Sequence, residues 1–146
     1  MRVSERGLRV IQYYEGLRLQ PYADMGGRQA IGYGHHIRPG EDFSKGISRA
    51  KAEKLLLKDL EVARYHIADK VKVPLTQGQY DALASFVFNV GAGNFAGSTL
   101  LKKLNSGDYD GAAREFDRWT MGGRPARTLR GLVARRQAEK DLFTSM

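Results

Sequence analysis

Glu15-Gly-Leu-Arg-Leu-Gln-Pro-Tyr-Ala-Asp24-Met-Gly-Gly-Arg-Gln-Ala30-Ile-Gly-Tyr-Gly-His35-His36 is the stretch on which the reading of this chain turns. Apolar Leu8, Val10, Ile11 and Tyr14 recur at helical spacing just before it, and Glu15 closes that run. A short extended piece carries Tyr22 and Asp24, and Gly26-Gly27 is a hairpin turn signal. Ala30 to Gly34 reads as the return strand, with two glycines spaced by two. Glycine weakens a strand, so its repetition points to a close approach by a ligand or another part of the chain. One carboxylate thus ends a helix while a second sits on a hairpin, an arrangement that can put them across a cleft. Cleavage of a glycosidic bond needs such a pair, one acid for the leaving oxygen and one carboxylate for water or the sugar carbon.

These residues resemble the signature of the phage-type lysozymes (endolysins, glycoside hydrolase family 24): Glu, eight residues, Asp, five residues, Thr, then Ile-Gly-x-Gly-His. Here the pattern is Glu15, Asp24 and Ile31-Gly32-Tyr33-Gly34-His35, with Ala30 where the family has threonine. The likeness continues through Tyr80–Gly91, Phe95–Leu101 and Gly131–Arg136, so it spans nearly the whole chain. It implies an α+β, mostly helical fold of two lobes with a cleft between them. On that basis 1–146 is one domain. The small β-hairpin lobe covers about 15–48, a long linking helix about 49–69, and the helical lobe about 75–146 together with helix 3–15.

The resemblance also implies chemistry. The family cuts peptidoglycan at the β-1,4 bond between N-acetylmuramic acid and N-acetylglucosamine, with inversion. Mapped here, Glu15 protonates the leaving oxygen, while Asp24 stabilises the anomeric carbon and helps activate water. Ala30 removes a hydroxyl that helps hold that water. A neutral hydrogen bond contributes about 0.5–1.5 kcal/mol net, so the expected loss is on the order of tenfold in rate. Hydrolysis ranks first. Lytic transglycosylation, in which the sugar's own 6-hydroxyl attacks and leaves an anhydro product, ranks second, and an inactive wall-binding relative third. Tyr33, Phe88, Asn89 and Arg127 are the implied substrate contacts. His35 is the implied structural partner of Asp59. Arg127 is the positional match for an arginine that lies beside the catalytic acid.

The 146 residues suit one domain. With no cysteine there is neither disulfide nor thiolate metal site. No signal peptide and no run of ~20 apolar residues is evident, so membrane insertion is not expected. The resemblance then implies synthesis in the host cytoplasm, a holin to open the membrane, and action on the wall in the periplasm. A monomer without cofactor is expected. His35-His36 does not read as a metal site, because adjacent strand residues point to opposite faces. The net charge of +8 suits solubility or attraction to a polyanion. A basic helical domain could bind DNA, but the arginines have no helix-turn-helix partner and the Glu15–His35 stretch would be left without a purpose.

A carboxylate closing a helix faces the negative end of the dipole, which disfavours its ionised form and suits a general acid. Ser48 is the expected cap of the helix 49–69, whose Leu55, Leu56, Leu60, Ala63 and Ile67 recur at helical spacing. Thr76 and Gln79 have capping-box spacing before a helix apolar on most faces, ending at Gly91. Short helices are expected over Phe95–Leu104 and Tyr109–Trp119, a loop at 122–125, and a last helix over Leu129–Phe143. Trp119 reads as core. Arg124, Arg127, Arg130, Arg135 and Arg136 read as a solvated basic face, an anion patch, or the source of a partner for Glu15.

Overall fold

The computed structural model describes residues 1–122 and 126–145. The expected loop at 122–125 therefore falls largely outside the described residues, Arg124 included. Seven α-helices and two small antiparallel sheets give an α+β, mostly helical architecture.

Helix α1 spans Glu5–Glu15, capped by Ser4, whose side chain accepts from the Gly7 N–H. Strands β1 (Arg18–Ala23), β2 (Gln29–Gly32) and β3 (His35–His36) follow as one antiparallel sheet in chain order. The expected return strand through Gly34 is thus shorter than its sequence suggests. Gly32 and Gly34 both take positive φ, +68° and +75°, a conformation open to glycine and costly for other residues. They turn the chain at Tyr33-Gly34 and start a third strand. At Gly32 the absent side chain also admits the long helix, since a Cβ there would lie 3.3 Å from that of Ala52.

That helix, α2, spans Arg49–Lys70 and buries Ala52, Leu55, Leu56, Leu60, Ala63 and Ile67. Helix α3 spans Gln77–Val90 behind a complete capping box, with Thr76 accepting from Gln79 N–H and the Gln79 side chain accepting from Thr76 N–H. The expected helix at 95–104 divides into α4 (Ala92–Ala96) and α5 (Thr99–Asn105), because Ser98 starts a new cap. Helix α6 spans Tyr109–Glu115 and runs into a 3-10 turn at Phe116–Arg118. A two-stranded sheet follows, β4 (Met121–Gly122) against β5 (Arg127–Thr128), where sequence suggested only loop. Helix α7, Arg130–Thr144, packs along α3.

Two apolar clusters result. The larger joins Leu83, Phe86, Phe95, Leu100, Phe116 and Phe143 around α3. The smaller joins Ile11, Tyr33, Ala52, Leu56 and Leu60 where α1, the β1–β3 sheet and α2 meet. Phe86 is the hub of the first. Its ring stands edge-on to Phe116 at 5.3 Å, Trp119 at 5.5 Å and Phe95 at 6.4 Å. Trp119 is therefore a packing residue. Phe86→Ala is expected to cost about 3–5 kcal/mol of stability, read by denaturant unfolding.

Candidate active site

Glu15 is the last residue of α1, and its side chain is mostly buried, 16% exposed. Arg135 of α7 donates from Nη1 to Glu15 Oε2 at 2.6 Å. The reading that gave this role to Arg127 is corrected: Arg127 sits exposed in β5, whereas Arg135 is buried behind Glu15. The strand pairing of Arg127 with Gly122 holds it outside the core. On its other side Glu15 faces Gly34, where a Cβ would collide with Oε1. The second glycine of Ile-Gly-x-Gly is thus the space that the carboxylate occupies.

Behind Arg135 lies a closed network. Its Nε is 3.3 Å from both Ser85 Oγ and Glu139 Oε2, and its Nη2 donates to the Ser85 carbonyl at 3.2 Å. Ser85 Oγ donates to Glu139 Oε2 at 2.5 Å. Arg136 donates from Nη2 to Glu139 at 3.2 Å and to Asn89 Oδ1 at 2.7 Å. Burial pushes the Glu139 carboxyl up, opposed by Arg136 and Arg135. Burial likewise brings the Arg136 guanidinium down to about 10, against the support of Glu139.

Asp24 occupies the turn after β1. Its Oδ1 accepts from the backbone N–H groups of Gly26 and Arg28 at 2.9 and 2.8 Å. Its Oδ2 lies 2.9 Å from His36 Nε2. Partial desolvation pulls this carboxyl upward, but the Arg28 N–H, the His36 ring and the Gly26 N–H outweigh it and hold Asp24 below the ordinary aspartate range. Ala30 is buried, paired across the sheet with Tyr22 on one side and His36 on the other. Directly opposed residues share a face of a sheet, so Ala30 lies beneath the same surface as Tyr22 and His36. Burial raises the Tyr22 hydroxyl pKa; the Glu15 charge adds to this, Arg18 opposes it and Asp24 adds again, so Tyr22 feels both carboxylates.

His35 is buried, with Nδ1 2.8 Å from Asp59 Oδ2 and Nε2 3.0 Å from Glu41 Oε1. Glu41 was absent from the sequence reading. Tyr33, expected to touch substrate, is corrected to a core residue: the turn at Gly32–Gly34 aims its ring between α1 and α2, where it is 8% exposed. Phe88 is half-buried and lines the cleft beside Gly34, while exposed Asn89 is held by Arg136. Glu139 and Ser85 were not singled out, and Arg135 was named only as one of five arginines that could supply a partner for Glu15. One signal for them existed: positions 135, 139 and 142 keep the helical spacing of a buried stripe, with charge in place of apolar side chains.

The phage lysozyme family profile matches residues 12–139. An endolysin of Acyrthosiphon pisum secondary endosymbiont phage 1 is 48% identical over 99% of both chains. The endolysin of Salmonella phage P22 is 39% identical over 99% of both. Among solved structures, the muramidase domain of SpmX from Asticaccaulis excentricus superposes with a TM-score of 0.90 at 35% identity, covering 99% of each chain. The chain belongs to the phage lysozyme family. It is a glycoside hydrolase of that class, a peptidoglycan-degrading endolysin.

Two outcomes follow from the geometry. Gly34→Ala is expected to lower kcat/KM on the order of 100-fold by displacing the Glu15 carboxylate. Its backbone strain costs only about 1–2 kcal/mol, so circular dichroism should still report a folded protein. Asp24 is expected to stay ionised to lower pH than an ordinary aspartate, and His36→Ala to move its titration upward. Linkage has the matching sign: a lowered carboxyl stabilises the fold above its unfolded value, and this is lost as pH falls through the folded one. Urea unfolding of wild type and His36→Ala between pH 5 and ~3 checks it.

Proposed function

We propose that the chain hydrolyses the β-1,4 bond between N-acetylmuramic acid and N-acetylglucosamine, with Glu15 as general acid and Asp24 as the anionic partner. The observation that carries this reading is the contrast between the two carboxylates. Glu15 is mostly buried and gives one oxygen to Arg135, leaving Oε1 turned to the Gly34 gap. Asp24 is on a turn, and three hydrogen bonds favour its anion. A mostly buried carboxyl at a helix end and a second one held by a turn can divide the acid and anion roles in glycosidic cleavage.

In this reading Glu15 gives its proton to the glycosidic oxygen as the C–O bond breaks. Asp24 stabilises positive charge at the anomeric carbon, and water adds there and releases its proton toward Asp24. Phe88 lines the sugar cleft, and Asn89 is fixed at its edge by Arg136. Ala30 contributes no hydroxyl to the water. His35, bridged to Asp59 and Glu41, fixes the sheet against α2. The enzyme works as a monomer on the wall of the host, reached once a holin has opened the membrane.

Mass spectrometry of products from purified peptidoglycan tests the reaction, with Glu15→Gln and Ala30→Thr alongside. Reducing muropeptides are expected from wild type, lost in Glu15→Gln and formed about tenfold faster in Ala30→Thr. Anhydro-muropeptides would instead make this a transglycosylase. Cleavage by Ala30→Thr alone would make it an inactive form.

A further inference from the structure

Two of the three histidines have packing roles. His35 is buried, with both ring nitrogens committed to Asp59 and Glu41. His66 sits on α2, its ring edge-on to Tyr65 at 5.3 Å. His36 is different. Its side chain is 43% exposed and lines the cleft beside Gly34. Among the described residues its only side-chain hydrogen bond is the one between Nε2 and Asp24 Oδ2. A neutral imidazole that donates from Nε2 to a carboxylate leaves Nδ1 as a bare acceptor.

The sheet register fixes where this ring lies. His36 pairs with Ala30 across β2 and β3, and Ala30 pairs with Tyr22 across β1 and β2. Directly opposed side chains start about 4.5–5.5 Å apart on one face. The His36 side chain therefore begins over Ala30 and ends at Asp24, spanning the space between them. Ala30 offers that space only a methyl group. The other ionisable groups on this side are Tyr22 and, around the cleft, Arg28, Arg38 and Asp59. Asp24 itself is a poor proton acceptor. Its Oδ1 already accepts from two backbone N–H groups, and its Oδ2 faces His36. These bonds hold its carboxyl below the ordinary aspartate range, and a depressed carboxyl is a weak base.

We propose that His36 accepts the proton of the attacking water, with Asp24 holding the imidazole in the tautomer that exposes Nδ1. The inference rests on the muramidase reading and gives that reaction a further catalytic residue. The water oxygen bonds to the anomeric carbon as the bond to the glycosidic oxygen breaks. Glu15 supplies the proton of the departing hydroxyl, and His36 Nδ1 takes the proton that water loses. The ring then carries a positive charge next to the Asp24 carboxylate, which stabilises it. Transfer of that proton through solvent back to Glu15 restores the starting state.

The test measures kcat and KM on purified peptidoglycan for wild type, His36→Gln and His36→Ala, with and without sodium azide. Circular dichroism supplies the folded fraction of each variant. Glutamine keeps a side-chain N–H for Asp24 but has no basic nitrogen. His36→Gln is expected to lower kcat about 100-fold with little change in KM. Azide is a nucleophile with no proton to lose. It should restore turnover in His36→Ala and leave fragments that end in a glycosyl azide, read by mass spectrometry. A His36→Gln variant with wild-type kcat overturns the proposal, because a residue that merely holds Asp24 is replaceable by another donor. Folded His36→Ala that stays slow in azide and forms no glycosyl azide overturns it as well. The muramidase reading is tested separately by the loss of products in Glu15→Gln, where His36 is intact.

Discussion

Four buried or mostly buried charges sit where α1, α3 and α7 meet, and the site depends on their balance. Glu15 meets Arg135, and Glu139 meets both Arg135 and Arg136. Glu139 has no exposed surface and Arg136 only 1%. Removing one member of such a set leaves a buried charge without a partner, at a cost of about 3–5 kcal/mol. The core packing and the catalytic geometry therefore share one constraint. Arg135 can hold Glu15 only because Ser85 and Glu139 hold Arg135, and Arg136 lies over the Phe86 ring, 5.2 Å from its centroid, at the centre of the apolar cluster.

The sheet supplies the complementary constraint. Glu15 ends a helix that cannot move without disturbing Ile11, which is fully buried against α2. The strand turn must therefore come to Glu15. Positive φ at Gly32 and Gly34 lets β2 turn back in two residues, and the missing side chain of Gly34 leaves room for the carboxylate. The same turn sends Tyr33 inward as an anchor and sets His35 between Asp59 and Glu41. The sheet is thereby joined to α2 by one apolar and one polar contact on adjacent sides.

Much of this was legible in the chain because the signals are local. The Thr76–Gln79 box, the apolar run of α3 and the Gly26-Gly27 turn each act over a few residues, and each folds as its chemistry dictates. Residue pairing across distance left no such mark. Glu15 and Arg135 are 120 positions apart, and Arg127, Arg130, Arg135 and Arg136 are chemically alike. Only the helical phase of α7 decides which of them turns inward, and β5 removes Arg127 from the contest. Tyr33 was expected at the substrate from the resemblance alone; the strand stops at Gly32, and the turn that follows sends the ring into the core. Strands of two residues, such as β4 and β5, are below what periodicity can register.

The two carboxylates sit in different surroundings on one small scaffold. Asp24 is reached by two backbone N–H groups and an imidazole, all of which favour its anion and none of which depends on the helical core. Glu15 is closed in by the helix end, a glycine gap and one guanidinium that is itself committed to Ser85 and Glu139. Ala30 lies beneath the face shared by Tyr22 and His36, and a hydroxyl lost from that position does not disturb either carboxylate's own bonds. Under the proposed mechanism a hydroxyl at that position would bear on how water is held and leave both carboxylates in place, so rate is the quantity it would change.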